Sequence, residues 1–188
     1  MLLIFLKKMV CSECPLRLYN TKGHNINGVG NTNYGNMIIL PSVDREAYKH
    51  QNFTFEQMIV KLNDLSVLST GVEILQYCYI TPFIKCKIAS SVILDDQIVK
   101  RCKENLKEEI IKYRPVNFLL LGKDVMSHFL QYSINPNKMF IDICNRRWFN
   151  NYSPGIMLYD QDKAKVFENG FVKWLNAVQN NNFSNYET

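Results

Sequence analysis

Four cysteines have the residue type and spacing to hold a cofactor. Cys11 and Cys14 form a C-x2-C pair in the stretch "CSECPLRLYNTKGHNINGVGN". Cys86 ends the segment "FIKC", and Cys102 follows after fifteen intervening residues. Thiolates are soft ligands that suit zinc or an iron–sulfur cluster. Four thiols buried separately in a core fit the same spacing, because free cysteine is among the most buried residue types. Both interpretations remain open at this point.

Other uses of a thiol pair fit the sequence less well. The opening "MLLIFLKKMV" has six apolar residues before its lysines, too few for a membrane span or a signal peptide. We therefore expect a short N-terminal helix, a reducing cytoplasmic location without disulfides, and no membrane partner. A zinc ribbon would supply a second close C-x2-C pair. A thioredoxin-type pair would lie at a strand-to-helix turn, whereas this pair precedes every predicted strand. Cys78 and Cys144 lie in apolar segments, and we expect them in the core.

Length and composition predict a single folded domain. The 188 residues are 47% hydrophobic and 12% aromatic, which allows a sizeable core and argues against disorder. The formal net charge of +5 suits an anionic partner. We expect one domain over residues 1–178 and, because "QNNNFSNYET" is polar, a loose C-terminal tail over residues 179–188.

Alternating apolar runs and amphipathic segments predict an α/β fold with a mostly parallel central sheet. Strands are predicted within residues 36–41, 73–86, 116–122, 140–144 and 155–159. Helices are predicted at residues 95–115, 123–132 and 162–178. The inward stripes of the first and last helices are Ile98, Cys102, Leu106, Ile110 and Tyr113, and Phe167, Phe171, Trp174 and Val178.

Four motifs follow one another in a recognisable order: "CSECPL", "GVGNTNYGNMII", "YITPFIKC" and "RPVNFLLLGKDV". In this order, from Cys11 to Leu175, the sequence resembles the iron–sulfur (family-four) uracil-DNA glycosylases. The resemblance implies a three-layer α/β/α sandwich of the uracil-DNA glycosylase type. It also implies a 4Fe–4S cluster, whose ligands would be Cys11, Cys14, Cys86 and Cys102.

The catalytic positions of that family are replaced here. Its strand runs into Gly-Glu-Ala-Pro-Gly, whereas this sequence reads "MIILPSVD", with Pro41 at the position of the acid. Pro82 stands where an asparagine reads the uracil edge, and Ser153 where a histidine supports the departing base. A proline side chain neither donates nor accepts a hydrogen bond. We therefore expect no catalytic residues. The degenerate pocket implied by the resemblance comprises Pro41, Ser42, Asp44, Phe53, Pro82 and Ser153.

Nearby side chains that could take over the lost catalytic roles have simpler explanations. Asp44 and Glu46 are expected to be solvated loop carboxylates. Phe53 corresponds either to the family's base-stacking phenylalanine or to a core anchor for the helix that follows it. The histidines are expected to be surface or packing residues; they are His24, His50 and His128.

A cationic and aromatic segment precedes the loop that contacts the duplex in the family. The resemblance implies a DNA-binding set of Arg146, Arg147, Trp148, Ser153 and Pro154, since arginine pairs with phosphate and tryptophan stacks on bases. Cationic residues around the cysteines would extend this surface: Lys85, Lys87, Lys100, Arg101 and Lys103. In the alternative interpretation, Trp148 packs inside the protein.

The sequence thus favours a catalytically inactive, uracil-DNA glycosylase-like iron–sulfur protein. It would bind DNA, single- or double-stranded, or a protein partner as an accessory module in DNA replication or repair. Its asparagine- and lysine-rich composition is compatible with the AT-rich genome of a phage or mobile element. One alternative is an active glycosylase with rewired residues, and another is a protein-interaction factor with a structural cluster.

Overall fold

The protein is a mixed α/β structure built on a six-stranded, mostly parallel sheet. The computed structural model describes residues 14, 16, 26–45, 54–88, 96–130 and 135–186. The strands are β1 (Val29–Gly30), β2 (Asn36–Arg45), β3 (Tyr79–Ile88), β4 (Asn117–Leu121), β5 (Met139–Ile141) and β6 (Arg147–Asn151). The described α-helices are α1 (Phe55–Thr70), α2 (Ile74–Tyr77), α3 (Asp96–Tyr113), α4 (Lys123–Leu130) and α5 (Gln161–Asn180).

The strand order across the sheet is β1-β3-β2-β4-β6-β5. The four inner strands are parallel, and the two edge strands pair antiparallel with their neighbours. The pairing of β2 with β3 shifts between Ser42 and Asp44: Ser42 lies opposite Ile84, but Asp44 lies opposite Lys87. One extra residue of β3 is therefore accommodated there, as in a β-bulge. This confirms the predicted α/β class and mostly parallel sheet.

Local sequence explains where the long helices start and stop. At the start of α1, the Gln57 amide donates to Thr54 Oγ1 at 3.2 Å, and the Thr54 amide donates to Gln57 Oε1 at 2.9 Å. This is a capping box, and the helix ends at Gly71 with φ of 74°. Asp160 caps the first turn of α5 by accepting from the Lys163 amide at 3.0 Å.

Each face of the sheet carries its own hydrophobic cluster. Alternate β2 residues point to opposite faces, so Ile38 and Leu40 belong to one cluster and Met37 and Ile39 to the other. The first cluster includes the buried faces of α1 and α5, and the second those of α3 and α4. The predicted inward stripes of α3 and α5 are confirmed, with Ile110, Tyr113 and Val178 partly buried.

Two local predictions are wrong, and one strand was missed. The predicted strand at residues 155–159 is a 3-10 helix, Pro154–Leu158, because the proline ring supplies the helical φ at its start. The predicted strand at residues 140–144 ends at Ile141, so Cys144 lies exposed in a turn rather than in the core. The strand β6 was not predicted.

Residues 179–186 form regular structure packed on the core, in contrast to the expected loose tail. Helix α5 continues to Asn180, and a short 3-10 helix covers Ser184–Tyr186. Between them, Phe183 is 6% exposed and its ring centroid lies 5.7 Å from that of Phe149. A buried aromatic ring outweighs the polar composition of the segment around it.

Candidate functional site

Three residues at the positions that the resemblance singled out, or next to them, meet near the carboxyl ends of β2 and β4. Pro82 in β3 lies directly opposite Leu40 in β2, and Pro41 is the next residue along β2. Gly122 follows β4, and its amide donates to the Asn151 carbonyl at 2.9 Å. A Cβ atom added at Gly122 would lie 2.9 Å from Pro41 Cγ and 3.4 Å from Ser153 Cβ. Pro41, Gly122 and Ser153 are therefore neighbours.

This cluster lies at the topological switch point of the sheet. After β2, the chain adds β3 on one side, and it then crosses over to add β4 on the other side of β2. Open α/β sheets bind ligands outside the carboxyl ends of the strands at such a point. Pro41 lies in β2 and Gly122 directly follows β4, the two strands that flank the switch, so this cluster lies where open α/β sheets bind ligands.

The side chains at the switch point offer little for acid–base chemistry. Pro82 is buried, while Pro41, Ser42 and Ser153 are partly buried. A serine hydroxyl can exchange hydrogen bonds but stays neutral at physiological pH, and the two prolines contribute only ring carbons. The backbone of Asp44 lies in β2, and its side chain is outside the described part. Phe53, Glu46, His24 and His50 also lie outside the described residues.

The described cysteines of the expected ligand set lie on one face of the sheet. Cys102 on α3 is 4% exposed and belongs to the second hydrophobic cluster, against which Cys14 and Cys86 pack. Within the described residues, no group of three or more His, Cys, Asp or Glu side chains is placed to hold a metal ion. Cys11 is outside the described residues. Cys14, Cys86 and Cys102 therefore share a hydrophobic face, but in the described part of the chain they are not placed together as a ligand set.

Cys78 behaves as the core thiol that the sequence predicted. It is fully buried against the other cluster, and burial raises the pKa of its thiol because the charged form loses its hydration.

Lys85 is not part of a positive surface, contrary to the sequence-based expectation. It is 2% exposed, and its ammonium group donates to Glu109 Oε1 at 2.8 Å and to Thr81 Oγ1 at 2.7 Å. The Thr81 hydroxyl donates to Glu109 Oε2 at 2.7 Å, which closes a triangle. A buried cation requires such a partner, because burying it alone is very costly.

The phenol of Tyr79 extends this buried polar group. Burial raises the pKa of Tyr79, and the negative charge of Glu109 and the neighbouring Tyr113 raise it further. The rings of Tyr79 and Tyr113 have centroids 4.7 Å apart. The sequence analysis missed this network, because its members lie on β3 and α3, far apart along the chain.

The expected DNA-binding residues are divided between the two ends of β6. Arg147 begins the strand opposite Asn117, the first residue of β4, and Ser153 follows its other end. Six residues of extended chain correspond to about 20 Å. Pro154 is buried at the start of its 3-10 helix. The set therefore does not form a single patch.

Arg146, Arg147 and Trp148 take part in internal packing. Trp148 is 8% exposed and lies nearly parallel to Phe118, with centroids 3.9 Å apart. The Arg147 guanidinium carbon lies 4.2 Å from the centroid of the Phe183 ring. These observations agree with the alternative that Trp148 packs inside, and they contradict its expected role of stacking on an exposed base.

Asp142 organises the turn before β6 and was missed by the sequence analysis. Its Oδ1 accepts from the amides of Cys144 and Arg146 at 2.9 and 3.0 Å. Its Oδ2 accepts from Arg146 Nε at 2.7 Å and Trp148 Nε1 at 3.0 Å. Burial raises the pKa of Asp142, but these hydrogen bonds outweigh it, and the pKa is lowered overall. In the sequence, the four-residue spacing between Asp142 and Arg146 was the signal that could have indicated this ion pair.

None of the helices in the described ranges is long and apolar enough to cross a membrane. No protein-family model matches this chain, and neither does any curated protein. The family resemblance therefore rests on the motifs quoted from the sequence.

Proposed function

We propose that this protein is a non-catalytic, uracil-DNA glycosylase-like iron–sulfur protein that binds DNA as an accessory module in replication or repair. The observation that carries the proposal is the meeting of Pro41, Gly122 and Ser153 at the switch point of the sheet. The two replaced catalytic positions there lie together where a ligand pocket is expected, and neither carries an ionisable group.

The fold and the cysteine positions support this assignment. Helices α1 and α5 pack on one face and α3 and α4 on the other, as a three-layer α/β/α arrangement requires. A 4Fe–4S cluster would be held by Cys11, Cys14, Cys86 and Cys102, and it would link the N-terminal segment to β3 and α3. Thiolate ligation suits such a cluster, and three of the four thiols share one face of the sheet.

Base removal would require groups that the described side chains of this edge do not offer. A glycosylase holds the extruded base by hydrogen bonds to its edge, and hydrolysis of the bond to the sugar needs a group that orients water and stabilises positive charge. Pro41 and Pro82 cannot fill these roles, and Ser153 cannot carry an imidazolium's charge. Binding without cleavage is the activity compatible with these side chains.

DNA is the proposed partner because the chain carries a formal net charge of +5 and phosphate attracts such a surface. With Arg146 and Arg147 held in internal contacts, the cation nearest the switch point in sequence is the exposed Lys123, directly after Gly122. We assign it to phosphate contact at the carboxyl edge.

The test combines cleavage and binding in one reaction. Anaerobically purified, iron-loaded protein is mixed with single- or double-stranded oligonucleotides containing uracil, at low and high salt. We expect no abasic sites, and we expect DNA retention that weakens steeply with salt. Lys123→Ala should weaken retention, while Lys165→Ala, the loss of an exposed cation on α5, should leave it nearly unchanged.

Each other outcome has a definite meaning. Abasic sites formed in proportion to protein would show that rewired residues catalyse, with Asp44 and Glu46 the next positions to mutate. Absence of both cleavage and retention would contradict the DNA role and support a protein-interaction factor. Iron content tests the cluster separately: Cys102→Ser should lose iron and stability, and unchanged iron would contradict its assignment as a ligand.

A further inference from the structure

Exposed apolar side chains lie along the edge of the sheet opposite the switch point. We call them the amino-edge patch, and they are Tyr34, Val116, Ile141 and Ile143. Backbone contacts place their segments side by side. The Val116 amide donates to the Gly35 carbonyl at 2.8 Å, the Arg147 amide donates to the Val116 carbonyl at 2.8 Å, and Ile141 is paired with Arg147. Because β2 and β5 are three strand spacings apart, the patch is about 14 Å long.

The turn that carries Ile143 holds this side chain in a fixed position. The Asn145 amide donates to the Asp142 carbonyl at 2.9 Å and closes a β-turn, in which Ile143 is fully exposed and Cys144 is exposed. Four hydrogen bonds to the Asp142 carboxylate tie the turn to its own backbone, to Arg146 and to Trp148. Turn positions usually carry small or polar residues. An isoleucine already held in place there loses little entropy on binding.

The loops around the patch are positively charged. Residues 32–35, 113–116 and 141–147 contain three arginines and one carboxylate. That carboxylate, Asp142, is paired with Arg146. Arg114 is exposed, lies two residues before Val116, and makes no ion pair with the described part of the chain. An exposed guanidinium beside apolar side chains complements a protein segment that carries a carboxylate next to apolar residues.

We propose that the amino-edge patch docks an acidic segment of a protein partner. A carboxylate of that segment pairs with Arg114, and an apolar side chain packs against Val116 and Ile143. The aliphatic side chains of the patch offer nothing to a phosphate group, which favours a protein segment over nucleic acid. The patch and the switch point lie at opposite ends of the parallel strands, so this docking leaves the proposed DNA contact free.

The experiment measures fluorescence anisotropy with a labelled synthetic peptide rich in aspartate and leucine, at low and high salt. Two control peptides carry lysine in place of aspartate or serine in place of leucine. The protein variants are Arg114→Asn and Ile143→Ser. Arg114 has φ of 49°, which asparagine tolerates well, and serine suits a turn, so both variants should keep the wild-type urea midpoint. The matched controls Val60→Ser and Lys165→Gln remove an exposed apolar and an exposed cationic side chain from α1 and α5.

We expect the acidic peptide to bind the wild type and the two control variants alike. Ile143→Ser should weaken binding by about tenfold, as for an apolar anchor of an interface. Arg114→Asn should weaken it by about 3- to 10-fold at low salt and by less at high salt, because salt screens an exposed charge pair. Both control peptides should bind more weakly than the acidic peptide.

Four results would overturn the proposal. Equal affinity for either control peptide would contradict the partner chemistry, and equal affinity of both variants would contradict the position of the surface. Absence of peptide binding by the wild type, with oligonucleotide retention lowered in Arg114→Asn, would assign the patch to nucleic acid. Self-association of the wild type that is lost in Ile143→Ser, measured by sedimentation, would make the occupant a second copy of this chain.

Discussion

Truncating Trp148 would decide between a core tryptophan and a DNA-stacking one. The indole is 8% exposed, stacks on Phe118 at 3.9 Å and donates to Asp142 at 3.0 Å. Replacing a buried tryptophan with alanine typically costs about 3–5 kcal/mol, from lost transfer energy and the cavity left behind. We expect Trp148→Ala to lower the free energy of unfolding by about 4 kcal/mol, a large part of the 5–15 kcal/mol typical of a domain.

Urea unfolding followed by far-UV circular dichroism measures this loss. With a slope of about 2 kcal/mol per molar urea, the midpoint should fall by about 2 M. Trp148→Phe is the matched control, because it retains an aromatic ring against Phe118 but loses the indole N–H. That variant should lose only about 1–3 kcal/mol of unfolding free energy. It should bind DNA like the wild type. An alanine variant with an unchanged midpoint and weakened DNA binding would refute the packing argument.

Three other substitutions test separate parts of the structure. Gly122→Ala should destabilise by about 1–3 kcal/mol in thermal unfolding, because φ is +101° and the new Cβ would meet Pro41; an unchanged melting temperature would contradict the geometry of the switch point. Asp142 has a folded pKa below its unfolded value, so its contribution to stability is present above about pH 4 and lost as pH falls through the folded pKa. Between pH 7 and pH 3, the urea midpoint should therefore fall less for Asp142→Asn than for the wild type. An equal fall in the two proteins would contradict this. Phe183→Ala should lower the free energy of unfolding in urea by about 3–4 kcal/mol. An unchanged free energy would instead support the predicted loose C-terminal tail.

Sequence patterns predicted the helices and strands in which buried residues recur at one regular spacing. The stripe from Ile98 to Tyr113 predicted α3 to within one residue at its start and two at its end, because one face alone is apolar. The run "VNFLLLG" predicted β4 because strands inside a parallel sheet are buried on both faces. In each case a single property of the chain, hydrophobic spacing, determined the outcome.

The missed elements depend on partners distant in the chain. The strand β6 contains an arginine and two asparagines, and its polarity hid it from the hydrophobic pattern. Asn150 donates to the Asn135 carbonyl at 2.9 Å and Asn151 to the Phe167 carbonyl at 2.8 Å, so both amides are buried with partners. Lys85 was misassigned for the same reason, since its carboxylate partner lies 24 residues away on another element.

The arrangement of charges limits how the proposed DNA contact can work. The pairs Lys85–Glu109 and Arg146–Asp142 each neutralise one positive and one negative charge, so they leave the excess of five cations unchanged. That excess must come from other cations, such as Lys123 near the switch point. For double-stranded DNA, the logarithm of affinity falls with the logarithm of salt by about 0.9 for each phosphate contacted. A slope reduced by about one in Lys123→Ala, and unchanged in a variant of Arg146, would place the contact at the carboxyl edge. A slope reduced in the Arg146 variant and unchanged in Lys123→Ala would instead place the phosphate contact at the turn before β6.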